Sequence, residues 1–283
     1  MIKREFTRLF FSARTLVLVI TSALFTAQSY YFSWMELQEY IREYNKAAAD
    51  LNLEIMKELI DSYNGFRYLF QYFEYCEEFG IYVIVLYAWL GIFVAAESCR
   101  QLESGYGNLI VSRIGYRRYK RMVIRAQSLY ITAVLGFNIA TELVLGGILG
   151  GFAGGYEGLP TGKSFLLAGA LYLLQVFYCV CINRIAAALS AWVKNVRLLQ
   201  CIPVLVFFAV PMLYCTTIGQ MLPFSSFLTI AALPWEYFTI LLFAVNTFYP
   251  VYAAALLGSM AFFWFCSHVL DHISTAVLGR NYL

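Results

Sequence analysis

The chain has 283 residues, of which 61% are hydrophobic and only 13% charged, with 24 Phe and 22 Tyr. That balance excludes an ordinary soluble domain and points to a membrane protein, so the useful unit is the span. The formal net charge of +3 is too small to indicate nucleic acid as a partner.

In chain order, the first element is basic and amphipathic. Lys3, Arg4, Arg8 and Arg14 alternate with Ile2, Phe6, Leu9 and Phe10 at helical spacing, which predicts an interfacial helix over 1–14 with its bases toward anionic headgroups. A transmembrane domain over 15–275 follows. Its charge-poor stretches predict six spans near 15–33, 79–98, 127–150, 164–183, 198–220 and 249–270. Each is expected to be an α-helix, because a lone segment in lipid must satisfy its own backbone hydrogen bonds. The first span is too long for a signal peptide and no small-residue cleavage site follows it.

The basic residues fix an expected orientation. The N-terminus holds four and the 99–126 connection holds seven; with Arg184, Lys194, Arg197 and Arg280, fifteen of the 20 Lys and Arg fall on one side. Retained loops carry that excess, so both termini are expected in the cytoplasm of a plasma-membrane protein. The 34–78 region has ten acidic residues against four basic ones and is expected outside. Within it Leu37, Ile41, Tyr44, Ala48, Leu51 and Ile55 recur at steps of three or four, which predicts an outer amphipathic helix. That helix could cap a path, contact a partner or lie solvated against the spans. The 224–245 segment is apolar but contains Pro234 and Glu236, and no basic residue separates it from the next span. It reads as a re-entrant hairpin within an extracellular 221–248 region. If it crosses instead, there are seven spans and the C-terminus moves outside.

Several motifs invite chemistry. Glu157 to Ser164, EGLPTGKS, ends like a phosphate-binding loop, but that loop needs glycine five positions before Gly162, where Glu157 stands. It reads as a turn between spans three and four, with Lys163 at the headgroups. Upstream, Gly146, Gly147, Gly150, Gly151, Gly154 and Gly155 are related by spacings of four, the small-xxx-small pattern of close helix packing; a gating hinge is the sharper alternative. Glu142 is the one carboxylate well inside a span. With Asn138 one turn before it, Glu142 either lines a substrate path or is a protonated, hydrogen-bonded structural group. His268, Asp271 and His272 share a helix end and read as polar boundary residues, so no metal site is assigned. The seven cysteines include one, Cys76, in the outer region and form no C-x-x-C, so no disulfide framework or redox motif is expected.

The 99–126 connection carries more than topology requires. Beside its bases it holds Glu103, Gly105, Tyr106, Gly107 and Asn108, then Arg113 to Tyr119 as RIGYRRY, which reads as a short polar helix that docks into another protein. A basic interfacial helix, six spans, a long first outer loop, this connection after span two and an apolar outer hairpin before span six together resemble the ABC-transporter permeases of the ABC-2 type. The resemblance implies that the connection is a coupling helix seated on a separate ATPase, with Glu103, Gly105, Tyr106, Gly107, Asn108, Arg113 and Arg117 as interface residues. It further implies a second permease subunit, identical or related, around a shared path, with membrane lipid as surroundings. ATP and Mg would be bound by the partner ATPase, so the chain itself has no cofactor and is not an enzyme. The expected cargo is an amphipathic or hydrophobic peptide, lipid or drug-like molecule moving outward. The competing reading is an immunity or sensory membrane protein that uses the outer helix as a receptor.

Overall fold

The computed structural model describes the backbone of residues 2–46, 53–75, 77–103, 105–156, 159–193, 195–206 and 250–281. Every regular element among them is helical. The elements are α1 (Ile2–Phe10), α2 (Ala13–Lys46), α3 (Leu53–Ser62), α4 (Gly65–Tyr75), α5 (Glu77–Trp89), a π-helical segment (Leu90–Ala95), α6 (Ala96–Glu103), α7 (Tyr106–Ile114), α8 (Tyr116–Gly150), α9 (Thr161–Leu189), α10 (Val196–Val204) and α11 (Pro250–Asn281).

Four of these helices are long and apolar enough to cross a membrane: α2, α8, α9 and the Leu256–Val277 part of α11. Large apolar side chains stay exposed along them, among them Leu16 and Leu24 of α2, Val144 and Ile148 of α8, Leu166 and Leu173 of α9, and Phe262 and Phe265 of α11. A helix in water would bury such a stripe against a partner, whereas a lipid-facing helix need not. These are the features of an all-helical membrane protein.

The helices differ from the expected spans in extent. The first span continues without a break into the predicted outer helix, so Leu37, Ile41 and Tyr44 ride on the end of α2, and two further helices, α3 and α4, follow. No proline or glycine stands between Ala13 and Lys46 to stop the helix. The second span is not one regular α-helix, because its turns widen to π geometry over Leu90–Ala95. The third begins at Tyr116, so the basic residues 117–125 lie on the same helix as the apolar stretch. Of the fifth, only its start is described, and the predicted hairpin at 221–248 lies outside the described residues.

The chain divides into two compact units, with boundaries inside α2, α5, α8 and α9. Unit 1 comprises Met1–Leu18, Val83–Leu135 and Leu173–Leu283. One of its cores joins Ala95, Ala186, Leu199 and Ile202 from the π segment, α9 and α10. The backbones approach so closely there that a Cβ on Gly91 would lie 1.9 Å from the Gln200 carbonyl oxygen. Buried amides bridge the same region: Gln127 donates to the Val94 carbonyl (2.9 Å), and Asn183 donates to Gln127 (3.1 Å).

Unit 2 comprises Val19–Tyr82 and Gly136–Tyr172. Its core is aromatic: Phe66 packs on Phe152 and Phe165 at 4.9 and 4.7 Å between ring centroids, and Phe70 packs on Tyr156 at 4.7 Å. Asn64 organises it. The Asn64 side-chain Oδ1 caps α4 by accepting from the Phe66 and Arg67 backbone amides at 3.0 and 3.1 Å, while its Nδ2 donates to the carbonyls of Ala153 (3.2 Å) and Gly155.

The glycine-rich run sits against this residue, which corrects the expected helical stripe. The helix ends at Gly150, and Gly151, Gly154 and Gly155 have φ of 64°, 88° and 69°, so they form a turn and not a continuation of the packing face. Gly146 and Gly150 remain on α8. There a Cβ would stand 2.7 Å from the Gly65 oxygen and 2.8 Å from the Asn64 carbonyl carbon respectively, while one on Gly147 would meet the Phe152 ring. At Gly146 and Gly150 the spacing of four thus admits the backbone at the N-terminus of α4, while Gly151, Gly154 and Gly155 belong to the turn.

Candidate functional site

The connection predicted to dock a partner is built entirely within unit 1. Gly105 (φ 77°) separates α6 from α7, and Gly115 (φ 77°) separates α7 from α8. A positive φ at both ends lets the chain change direction into and out of α7, at positions where residues with a Cβ are strained. The Gly115 amide closes α7 by donating to the Val111 carbonyl at 2.8 Å. Val111 is buried with Tyr116, Tyr119 and Val123, which anchors α7 by its own apolar side.

What α7 leaves exposed is a mixed face. Asn108, Leu109, Ser112 and Arg113 are solvent-accessible, and Arg117 and Arg118 continue the basic character onto α8. Leu109 is 66% exposed, an apolar side chain among polar ones. Gly105 and Gly115 shape the backbone, whereas Gly107 is buried and cannot itself offer a contact. Of the predicted interface residues, Asn108, Arg113 and Arg117 therefore share an accessible surface. Glu103 ends α6 and Tyr106 opens α7, but their side chains lie outside the described set. Leu109 and Ser112 escaped the sequence reading because a single Leu and Ser in a basic helix carry no pattern of their own.

A polar network ties the connection to the N-terminal helix. Arg8 pairs with Glu97 at 2.8 Å and with Glu5 at 3.0 Å; Gln101 donates to Glu5 at 3.1 Å and accepts from Tyr119 at 2.8 Å. The Trp89 indole donates to the Arg14 carbonyl at 3.3 Å, and Thr15 is hydrogen-bonded to Tyr130. Burial opposes the charge on Arg8, but the bonds to Glu97 and Glu5 outweigh it and raise its pKa. At least one base of the interfacial helix is thus directed at α6 and not only toward headgroups.

Unit 2 holds the two residues predicted to line a path. Glu142 and Asn138 are 2% and 4% exposed. Asn138 donates to the Tyr82 hydroxyl at 2.7 Å, and the Glu142 backbone carbonyl accepts from Tyr30 at 3.2 Å. One carboxyl oxygen of Glu142 has no partner among the described residues. The Tyr30 ring lies tilted against Tyr68 and edge-to-face with Tyr72, at 5.6 and 6.4 Å between centroids.

The EGLPTGKS stretch is structural where it is described. Ser164 is fully buried, accepts from the Tyr156 amide at 3.0 Å and sits in the first turn of α9, while Lys163 is exposed. Residues 157 and 158 lie outside the described residues. Near the end of α11, His268 stacks on Trp264 (5.4 Å), and Asp271 forms ion pairs with Lys120 at 2.7 Å and Arg184 at 3.5 Å. Sequence gave no sign of that triad, because its members are 64 and 87 residues apart in the chain.

The fold and the exposed apolar helices define a helical membrane protein. Comparison with protein-family models, with curated proteins and with solved structures found no match.

Proposed function

We propose that this chain is the membrane-spanning permease subunit of an ATP-driven exporter of the ABC-2 type, working with a separate ATPase and a second permease subunit. The observation that carries the reading is α7. It is a short helix bounded at both ends by glycines of positive φ, anchored by Val111 and Tyr116, and exposing Asn108, Leu109, Ser112 and Arg113 between two hydrophobic helical segments. A lone topology signal needs only bases. A docking element needs a defined backbone shape, an apolar anchor and a charged rim, and α7 offers a regular helix, Val111 and Arg113 for these.

On this reading ATP binding and hydrolysis in the partner move α7, and the movement passes to α6 and α8 on either side of it. Both termini lie in the cytoplasm, and the acidic 34–78 region faces outward. The cargo is amphipathic or hydrophobic, in keeping with the aromatic helices. Glu142 and Asn138 are the polar groups available to it within the membrane. The chain supplies no phosphate-binding loop, so hydrolysis belongs to the partner.

The test is to co-express the chain with a candidate phosphate-loop ATPase from a neighbouring reading frame and to purify through a tag on the chain. The expected result is a stable complex in nanodiscs whose ATP turnover responds to the permease. Absence of a complex with a folded chain would overturn the proposal.

A further inference from the structure

Unit 1 contains a cavity of about 840 Å³ whose wall includes Val111, Tyr116 and Arg117 of the docking region, while its inner residues Lys120, Arg184 and Asp271 have no part in the transport reading. It is lined by residues 111–124 of α7 and α8, by Arg184 near the end of α9, and by residues 268–276 of α11. The N-terminal end of one membrane-length helix thus meets the C-terminal ends of two others. In a membrane protein such a meeting of helix ends lies at headgroup depth.

The charge in the cavity is unbalanced. Lys120, Arg184, Arg117, Arg118 and Arg121 line it, and the facing carboxylate is that of Asp271. His268 and His272 add no negative charge. Lys120 is satisfied: besides Asp271 it donates to the Asp271 carbonyl (3.2 Å), to Thr275 (3.1 Å) and to Ser274. Arg184 is not. Its contact with Asp271 is 3.5 Å, and its Nε is buried with no acceptor among the described residues. The Arg184 side chain is 24% exposed, and a guanidinium held by one long ion pair can take a further oxyanion at its accessible edge.

We infer that this cavity is a binding site for a phosphate-bearing anion, with Arg184 gripping the phosphate from within and Arg117, Arg118 and Arg121 closing over it. The apolar side chains of Val111, Ile114 and Ile124 form the rest of the wall. A basic rim above an apolar wall at the end of membrane helices is the composition that takes an anionic phospholipid. Asp271 bridges Lys120 and Arg184 and offsets part of their charge. The inference is independent of any ATPase and stands whether or not the chain transports.

The experiment uses the purified full chain in dodecyl maltoside. Its unfolding midpoint is followed while dioleoyl phosphatidylglycerol, dioleoyl phosphatidylcholine or inorganic phosphate is titrated in, and bound lipid is counted by native mass spectrometry. Phosphatidylglycerol is expected to raise the midpoint saturably, with one tightly bound lipid per chain, and phosphatidylcholine is not. Arg184→Gln should weaken that binding at least tenfold. So should the exposed pair Arg118→Gln/Arg121→Gln, which keeps the test valid if Arg184→Gln fails to fold. The pair Arg125→Gln/Arg197→Gln removes the same charge away from the cavity and should change affinity less than threefold. A saturable shift with inorganic phosphate matching that of phosphatidylglycerol identifies a free phosphate as the ligand; a shift with the lipid alone identifies the headgroup with its chains. Equal losses in both pairs, unchanged binding in the cavity variants, or an equal shift with phosphatidylcholine would overturn the site.

Discussion

Glycines at positive φ serve opposite ends in the two units. Gly105 and Gly115 border α7 in open space, with nothing within 4 Å of where a Cβ would be. Gly155 is enclosed: its Cβ would stand 1.9 Å from the Leu159 oxygen, in the same turn that Asn64 grips. The open pair sets the direction of a displayed helix, whereas the closed one lets backbones touch. Identical residue chemistry therefore marks a surface element in unit 1 and a lock in unit 2, and the neighbours decide which.

Substitution separates the two roles by size. Gly155→Ala adds a backbone clash to a left-handed conformation and should destabilise unit 2 by about 3–5 kcal/mol, read as a fall in the detergent unfolding midpoint. Asn64→Ala removes a helix cap and leaves buried carbonyls unpaired, for about 2–3 kcal/mol by the same measurement. Gly105→Ala meets no atom and should cost only the conformational strain, about 1–2 kcal/mol. Equal losses for Gly105→Ala and Gly155→Ala would erase the distinction.

Exposed residues of α7 should matter least for folding and most for partnership. Leu109→Ala with Arg113→Ala is expected to change stability by less than about 0.5 kcal/mol. The same pair should weaken the complex with the ATPase at least tenfold in a pull-down titration. A destabilised chain with an intact complex would make α7 a packing element instead.

The smallest expected effect is a pH dependence in unit 2. Burial first, and then the charge of Glu36, hold the Tyr63 phenol up at about 12, against the opposing pull of Arg67. The Arg67 guanidinium lies over the Tyr63 ring at 4.6 Å. Because the folded value is raised, the contribution of Tyr63 is intact below about pH 10 and is lost as pH rises toward 12. Tyr63→Phe should flatten the fall of the unfolding midpoint between pH 9.5 and 11.5, values set by the ordinary tyrosine pKa of about 10.

The membrane character, the helical class and the location of a short helix after the second apolar stretch were legible in the chain, because each depends on local composition and spacing. The glycine run shows where that stops. Spacings of four were read as a packing stripe, yet the register breaks at Gly151, since Asn64, some ninety residues earlier, donates to the carbonyls of the turn. Span two likewise read as a plain helix. Its π segment coincides with the close approach of Gly91 to Gln200, a contact between positions more than a hundred residues apart.

The sequence by itself determined which segments prefer lipid, where helices must satisfy their own backbones and which connection is basic, because hydropathy and charge act over a turn or two of chain. Only the tertiary structure decided that Lys120, Asp271 and Arg184 share one cavity, that Leu109 faces outward while Gly107 does not, and that Glu142 is buried with its backbone carbonyl bonded to Tyr30. Those facts depend on which helix ends meet, and no local preference encodes a meeting between residues 64 or 87 positions apart.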